Sequence, residues 1–199
     1  TRLDLVPLLA WDMLGMKVEP VFGIKGRSSG RLMFERGEVN IDWQTSAGYL
    51  SGVMPLVKDG LAVPMMSFGA LDDSGNIVRD PTFPDIPSFK EVYESVLATE
   101  PSGDAWEAWK AFFVAGFSAQ KMVFLPKGTP QEIIDAYDKA CNRVLEREDF
   151  EEKSAKILGV YPQSTGESAQ LKLKQGTVVP DSARVWIKNW LQDKYNVSP

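Results

Sequence analysis

Apolar positions recur at helical spacing in three stretches of the chain. Leu5, Leu8, Leu9 and Met13 predict an amphipathic helix over Leu3–Leu14 that Gly15 ends. Trp106, Trp109, Phe112, Phe113 and Phe117 predict a helix capped by Asp104 whose aromatic face packs into a core. Ile133, Ile134, Tyr137, Cys141, Val144 and Leu145 predict a long helix over Pro130–Glu146. Its start reads as a capping box, with Thr129 as N-cap, Pro130 at the first helical position and Glu132 closing the box. A further helix follows, with Ala155 and Leu158 inward and Gly159 just past its end.

Between these lie short continuous apolar runs of the kind that form strands. They are Lys17–Phe22, Val39–Trp43, Leu61–Phe68 and Met122–Leu125, the last expected to be buried, with a shorter run at Val160–Pro162. Helices are expected at about Gly30–Arg36, from Thr45 or Ser46 to about Val57, and from a second capping box at Ser88–Glu91 to about Leu97. The resulting α-β-α-β-α-β order predicts an α/β layer structure with mostly parallel strands. Residues 69–87 read as a long polar loop, and helical segments flanking Pro180 carry Trp186, Trp190 and Tyr195 at the end.

Composition narrows the chemistry. A net charge of −5 argues against a nucleic-acid partner, which needs a basic face. With no histidine there is no Ser–His or Cys–His pair, and the common zinc sites are out of reach. No nucleophile–base pair or phosphate loop is legible, so no enzyme activity, metal or cofactor is expected. The single Cys141 reads as a buried structural thiol. The Asp72–Asn76 run lacks the closing glutamate of a calcium loop and reads as a polar turn. No apolar run approaches the ~18 residues that cross a bilayer. The chain opens on Thr1 without a signal peptide, which reads as a processed or truncated chain.

Two stretches could hold a ligand. The loop Gly23–Arg31 joins an expected strand to a helix start, where open α/β sheets bind ligands. Gly26 and Gly30 allow close backbone approach, Ser28 and Ser29 offer hydroxyls, and with Gly30 they offer helix-start N–H groups suited to a carboxylate. Lys25, Arg27 and Arg31 add positive charge. An ordinary solvated turn with a cap explains the same residues. The second stretch, Asp42-Trp43-Gln44-Thr45-Ser46, leaves another expected strand toward a helix, where a plain N-cap is the competing explanation.

The segment PKGTPQEIIDAYDKA (126–140) resembles the P-x-G-T-P and long-helix stretch of the TctC/Bug family, the extracytoplasmic solute-binding receptors of tripartite tricarboxylate transporters. GIKGRSSGRLMFERGEVN (23–40), DPTFPDIPSFKEV (80–92) and Gly159-Val160 before a Pro/Ser/Thr-rich turn match in the same order. The resemblance implies a periplasmic-binding-protein-like (type II) two-lobe α/β fold, here incomplete at its start. Residues 1–119 would be the second lobe and hinge, and 120–199 would contribute to the first lobe and the closing helices. It implies a periplasmic or membrane-associated extracytoplasmic receptor that captures a di- or tricarboxylate or an acidic amino acid and delivers it to membrane transporter subunits. It places Lys25, Gly26, Arg27, Ser28, Ser29, Gly30, Trp43, Gln44 and Thr45 at the ligand cleft, with Ile24 where many members carry an aromatic. The alternative is a cytoplasmic effector-sensing domain of a transcription regulator.

Overall fold

The computed structural model describes residues 2–118, 122–158 and 161–197. The structure is 56% helical, with two short antiparallel strands among the described residues. The helices that build the core are α1 (Arg2–Met13), α5 (Phe89–Leu97), α6 (Gly103–Phe113), α9 (Gly166–Thr177) and α10 (Asp181–Tyr195). Smaller helices α2 (Arg27–Glu35), α3 (Ser46–Gly48) and α4 (Met54–Lys58) lie in the first third, and α7 (Gln131–Leu145) and α8 (Phe150–Leu158) follow α6.

The core is organised by α6. Trp109 is fully buried, and its indole N–H donates to the Val6 carbonyl at 3.1 Å, tying α6 to α1. Trp106 and Phe113 stack on either side of it, at 5.0 and 5.1 Å between ring centroids, and Phe89 leans on it from α5 at 4.7 Å. Val6, Leu8, Leu9 and Ala10 of α1 and Ala183, Ile187 and Trp190 of α10 join them in the core. Trp190 donates to the Asp12 carboxylate, which Lys194 also contacts, so α10 is pinned to α1 by a polar clasp at the core's edge. A π-helical turn, Val114–Ser118, carries the stack onward from Phe113 to Phe117 at 5.8 Å.

The expected α/β two-lobe, type II binding-protein fold is overturned. The only strands among the described residues are β1 (Ala70–Leu71) and β2 (Ile77–Val78), an antiparallel pair. They lie inside the stretch expected to be a loop. Their turn is closed by Asp72, whose carboxylate accepts from the Asn76 N–H at 2.8 Å. Residues 17–24, 39–45, 61–66 and 122–126 carry no strand. Met122–Leu125 is not a buried strand either: Val123 and Phe124 face solvent. A strand needs a neighbour to bond to, and apolar content alone does not supply one. The run 61–68 gains a partner only at its end, where Ser67 bridges to Ser88 in parallel fashion.

Helix ends follow the local sequence more closely than the strands do. The Ser88–Glu91 capping box forms in both directions. Thr129 does not cap α7. Its hydroxyl donates to the Pro126 carbonyl at 2.7 Å, and Pro130 takes the N-cap position. Ser102 rather than Asp104 precedes α6. From Ser46 to Lys58 the chain is helical but passes through a widened π turn at Tyr49–Val53. That turn lies just before Pro55, which cannot donate to the preceding turn and would crowd it. Cys141 is half-buried. The expected Gly159 cap, the Val160 start of a short strand and the domain boundary at 119/120 fall outside the described residues.

Candidate functional site

The two candidate stretches meet. Gly26 stands at the N-cap of α2 with φ 132° and ψ 168°, a backbone setting that glycine tolerates and side chains resist. Because glycine has no side chain, the first turn of α2 is uncapped. The N–H groups of Ser29 and Gly30 both point to the Gly26 carbonyl, at 3.2 and 3.3 Å. Those of Arg27 and Ser28 meet no acceptor among the described residues. The donors available to an anion are therefore one position earlier than the sequence suggests.

Arg27 is held on three sides. Its guanidinium pairs with Asp4 of α1 and lies over the Trp43 ring, 3.5 Å from the centroid. Its carbonyl accepts from the Gln44 side chain at 2.9 Å, and the same amide donates to Asp42 at 2.7 Å. Trp43 in turn touches Phe68 and Phe117, which joins this cluster to the aromatic stack of α6. Asp42 is packed close under α2: a methyl group on Gly30 would sit 3.3 Å from its carboxylate. Burial pushes the Asp42 carboxyl up from its ordinary value, and the Gln44 hydrogen bond and the nearby arginines offset part of that.

The residues placed at a ligand cleft thus divide. Gly26, Ser28 and Ser29 are exposed at the open helix start, and Lys25 is exposed beside them. Gly30 provides the close approach to Asp42. Trp43 and Gln44 brace Arg27 rather than face solvent freely. Thr45 is an N-cap, accepting the Gly48 N–H at 3.2 Å. Arg31 is engaged with Glu35 one turn along α2, at 2.9 Å.

Next to this cluster is a polar relay that residue types alone did not single out. Ser46 bonds to the Tyr161 hydroxyl, and Tyr161 donates to Asp80 at 2.9 Å. Since the phenol's proton is directed to Asp80, Ser46 must donate to the phenol oxygen. Asp80 is buried and also accepts the Thr82 N–H at 2.8 Å. Burial is the main cause raising the Tyr161 pKa. The signal for Asp80 and Tyr161 lay in the stretches 80–92 and 159 onward, but nothing in their spacing marked these two residues. Asp4, the partner of Arg27, was hidden in an amphipathic helix.

The arrangement has anchoring and donor groups. Among the described residues no group of three or more His, Cys, Asp or Glu side chains could hold a metal ion, and no helix is long and apolar enough to cross a membrane. Two shallow hollows, of about 230 Å³ beside α8 and about 180 Å³ between α6, α9 and α10, lie away from residues 25–46. No family model, curated protein or solved structure matches this chain.

Proposed function

We propose that this chain belongs to an extracytoplasmic solute-binding receptor that captures a small organic acid and delivers it to a membrane transporter. The observation that carries the proposal is the uncapped first turn of α2, with the Arg27 and Ser28 N–H groups unpaired and Lys25 beside them. Such a turn suits a carboxylate because its N–H groups and the helix dipole point the same way. The resemblance of residues 23–40, 80–92 and 126–140 to TctC/Bug receptors supports the same reading. Arg27 serves this site mainly through its backbone, since Asp4 and Trp43 already occupy its guanidinium. Its side chain sets where the helix start lies.

A thermal-shift screen of di- and tricarboxylates and acidic amino acids tests this. A ligand at ~100 times its dissociation constant adds about 2.7 kcal/mol of stability. Ser28→Pro, which deletes a donor N–H, is expected to lose that gain, whereas Ser28→Ala keeps it. A protein that no carboxylate stabilises, or that binds equally well as Ser28→Pro and Ser28→Ala, would show that this turn is not an acid site.

A further inference from the structure

Lys172 of α9 is 6% exposed, although a lysine is rarely enclosed without a close counter-charge. The carboxylate it faces, Asp73 on the β1–β2 turn, stands 3.9 Å away with its side chain 85% exposed. The hydrogen bond of Lys172 goes instead to a hydroxyl: Nζ donates to Ser164 Oγ. Side chains on a helix lean toward its N-terminus. That tilt carries Nζ back past the start of α9 to Ser164.

Both residues are held from outside. Tyr161, just before Ser164, is tied to Ser46 and Asp80, and its carbonyl accepts from the Gln163 side chain at 2.8 Å. Thr165, just after Ser164, turns its hydroxyl to Asn142 of α7 at 2.9 Å, and the first turn of α9 has no side-chain cap. The N–H groups of Gly166, Glu167 and Ser168 find no acceptor among the described residues. The β1–β2 turn covers the lysine. Ser168 donates to Asp73 at 3.3 Å, and Gln175 donates to the Gly75 carbonyl at 3.1 Å. The fit is close: a methyl group on Gly75 would meet the Gln175 amide at 2.3 Å.

We propose that Ser164 and Lys172 form a nucleophile–base dyad that hydrolyses a carboxylic ester. A serine hydroxyl needs an adjacent base to attack, and in a chain without histidine an enclosed lysine can take that place. Ser164 Oγ bonds to the ester carbonyl carbon while its proton passes to Lys172 Nζ. The open start of α9 offers N–H groups to the negative charge that gathers on the carbonyl oxygen. The bond from that carbon to the alcohol oxygen breaks, and the alcohol leaves with the proton from Nζ. Water then adds to the acyl-serine. Lys172 takes the water's proton and returns it to Ser164 Oγ as the carboxylic acid departs.

Incubation of the whole chain with a fluorophosphonate, read by peptide mass spectrometry, is expected to label Ser164. Hydrolysis of p-nitrophenyl acetate is expected to be lost in Ser164→Ala. Lys172→Met and Lys172→Arg are each expected to slow both reactions by about 100-fold or more, the usual contribution of a general base. Lys172→Arg keeps the charge but cannot accept a proton, so it separates proton transfer from mere support of the serine. A parent chain whose Ser164 stays unlabelled overturns the proposal, whatever the variants do. Hydrolysis that survives Ser164→Ala overturns it, as does labelling of Ser164 that is as fast in Lys172→Arg as in the parent. Carboxylate binding at α2 is read by thermal shift and stands or falls separately.

Discussion

Helices α6 and α7 begin from the same kind of sequence and end in different places. Each carries an apolar face at helical spacing. α6 buries Trp106, Ala108, Trp109, Ala111 and Phe113, whereas no described residue of α7 is buried. Ile133, Tyr137 and Val144 of α7 are exposed. The difference is cover. α6 is enclosed by α1, α9 and α10, while α7 is held mainly by local terms. Glu132 lies in its first turn, Arg143 in its last, and Gln131 donates to Asp135 at 2.8 Å. An apolar stripe states what a helix can bury, and its neighbours decide whether it does.

The sharpest way to break the comparison is at Trp109. Trp109→Ala removes the centre of the ring stack and the bond to the Val6 carbonyl, and is expected to cost about 3–5 kcal/mol in denaturant unfolding. Tyr137→Ala on α7 is expected to stay within about 0.5 kcal/mol. Equal losses at the two sites would show that α7 is packed after all.

A middle-sized effect belongs to the cap of α5. Ser88→Ala is expected to cost about 1 kcal/mol, because it removes from the buried Ser88 the hydroxyl that caps the Glu91 N–H. The same cap makes stability depend on pH. The Arg79 side chain, and then the Ser88 N–H, hold the Glu91 carboxyl down to about 2. A depressed carboxyl contributes stability above its unfolded value near 4.5, and that contribution is lost as pH falls through about 2. Denaturation midpoints of Glu91→Gln should therefore change less over this window than those of the parent chain. The effect is modest because the ion pair is largely exposed.

The smallest effect expected is at Thr129. Its hydroxyl sits on an exposed turn and does not cap α7, so Thr129→Ala should change stability by less than about 0.5 kcal/mol. A loss near 1 kcal/mol, the usual worth of an N-cap, would restore it to that position.

Helical segments were legible because a helix satisfies its own backbone within a few residues. The apolar spacing of α1, α6 and α7, the Ser88–Glu91 box and the break at Pro180 before α10 were enough to place them. Part of the candidate site was legible for the same reason: a helix start near Gly30 was expected, and α2 begins three residues earlier, at Arg27. The chain's residues alone thus determined which segments coil, which faces are apolar and which chemistries lack their side chains. Only the tertiary structure decided the rest. The runs 17–22, 39–43, 61–66 and 122–125 have strand composition, but a ladder depends on a second segment arriving at the right register. It brought Asp4 to Arg27 and Tyr161 to Ser46, contacts between residues 23 and 115 positions apart. It covered α6 and left α7 open, because burial is a property of neighbours, which no local pattern contains.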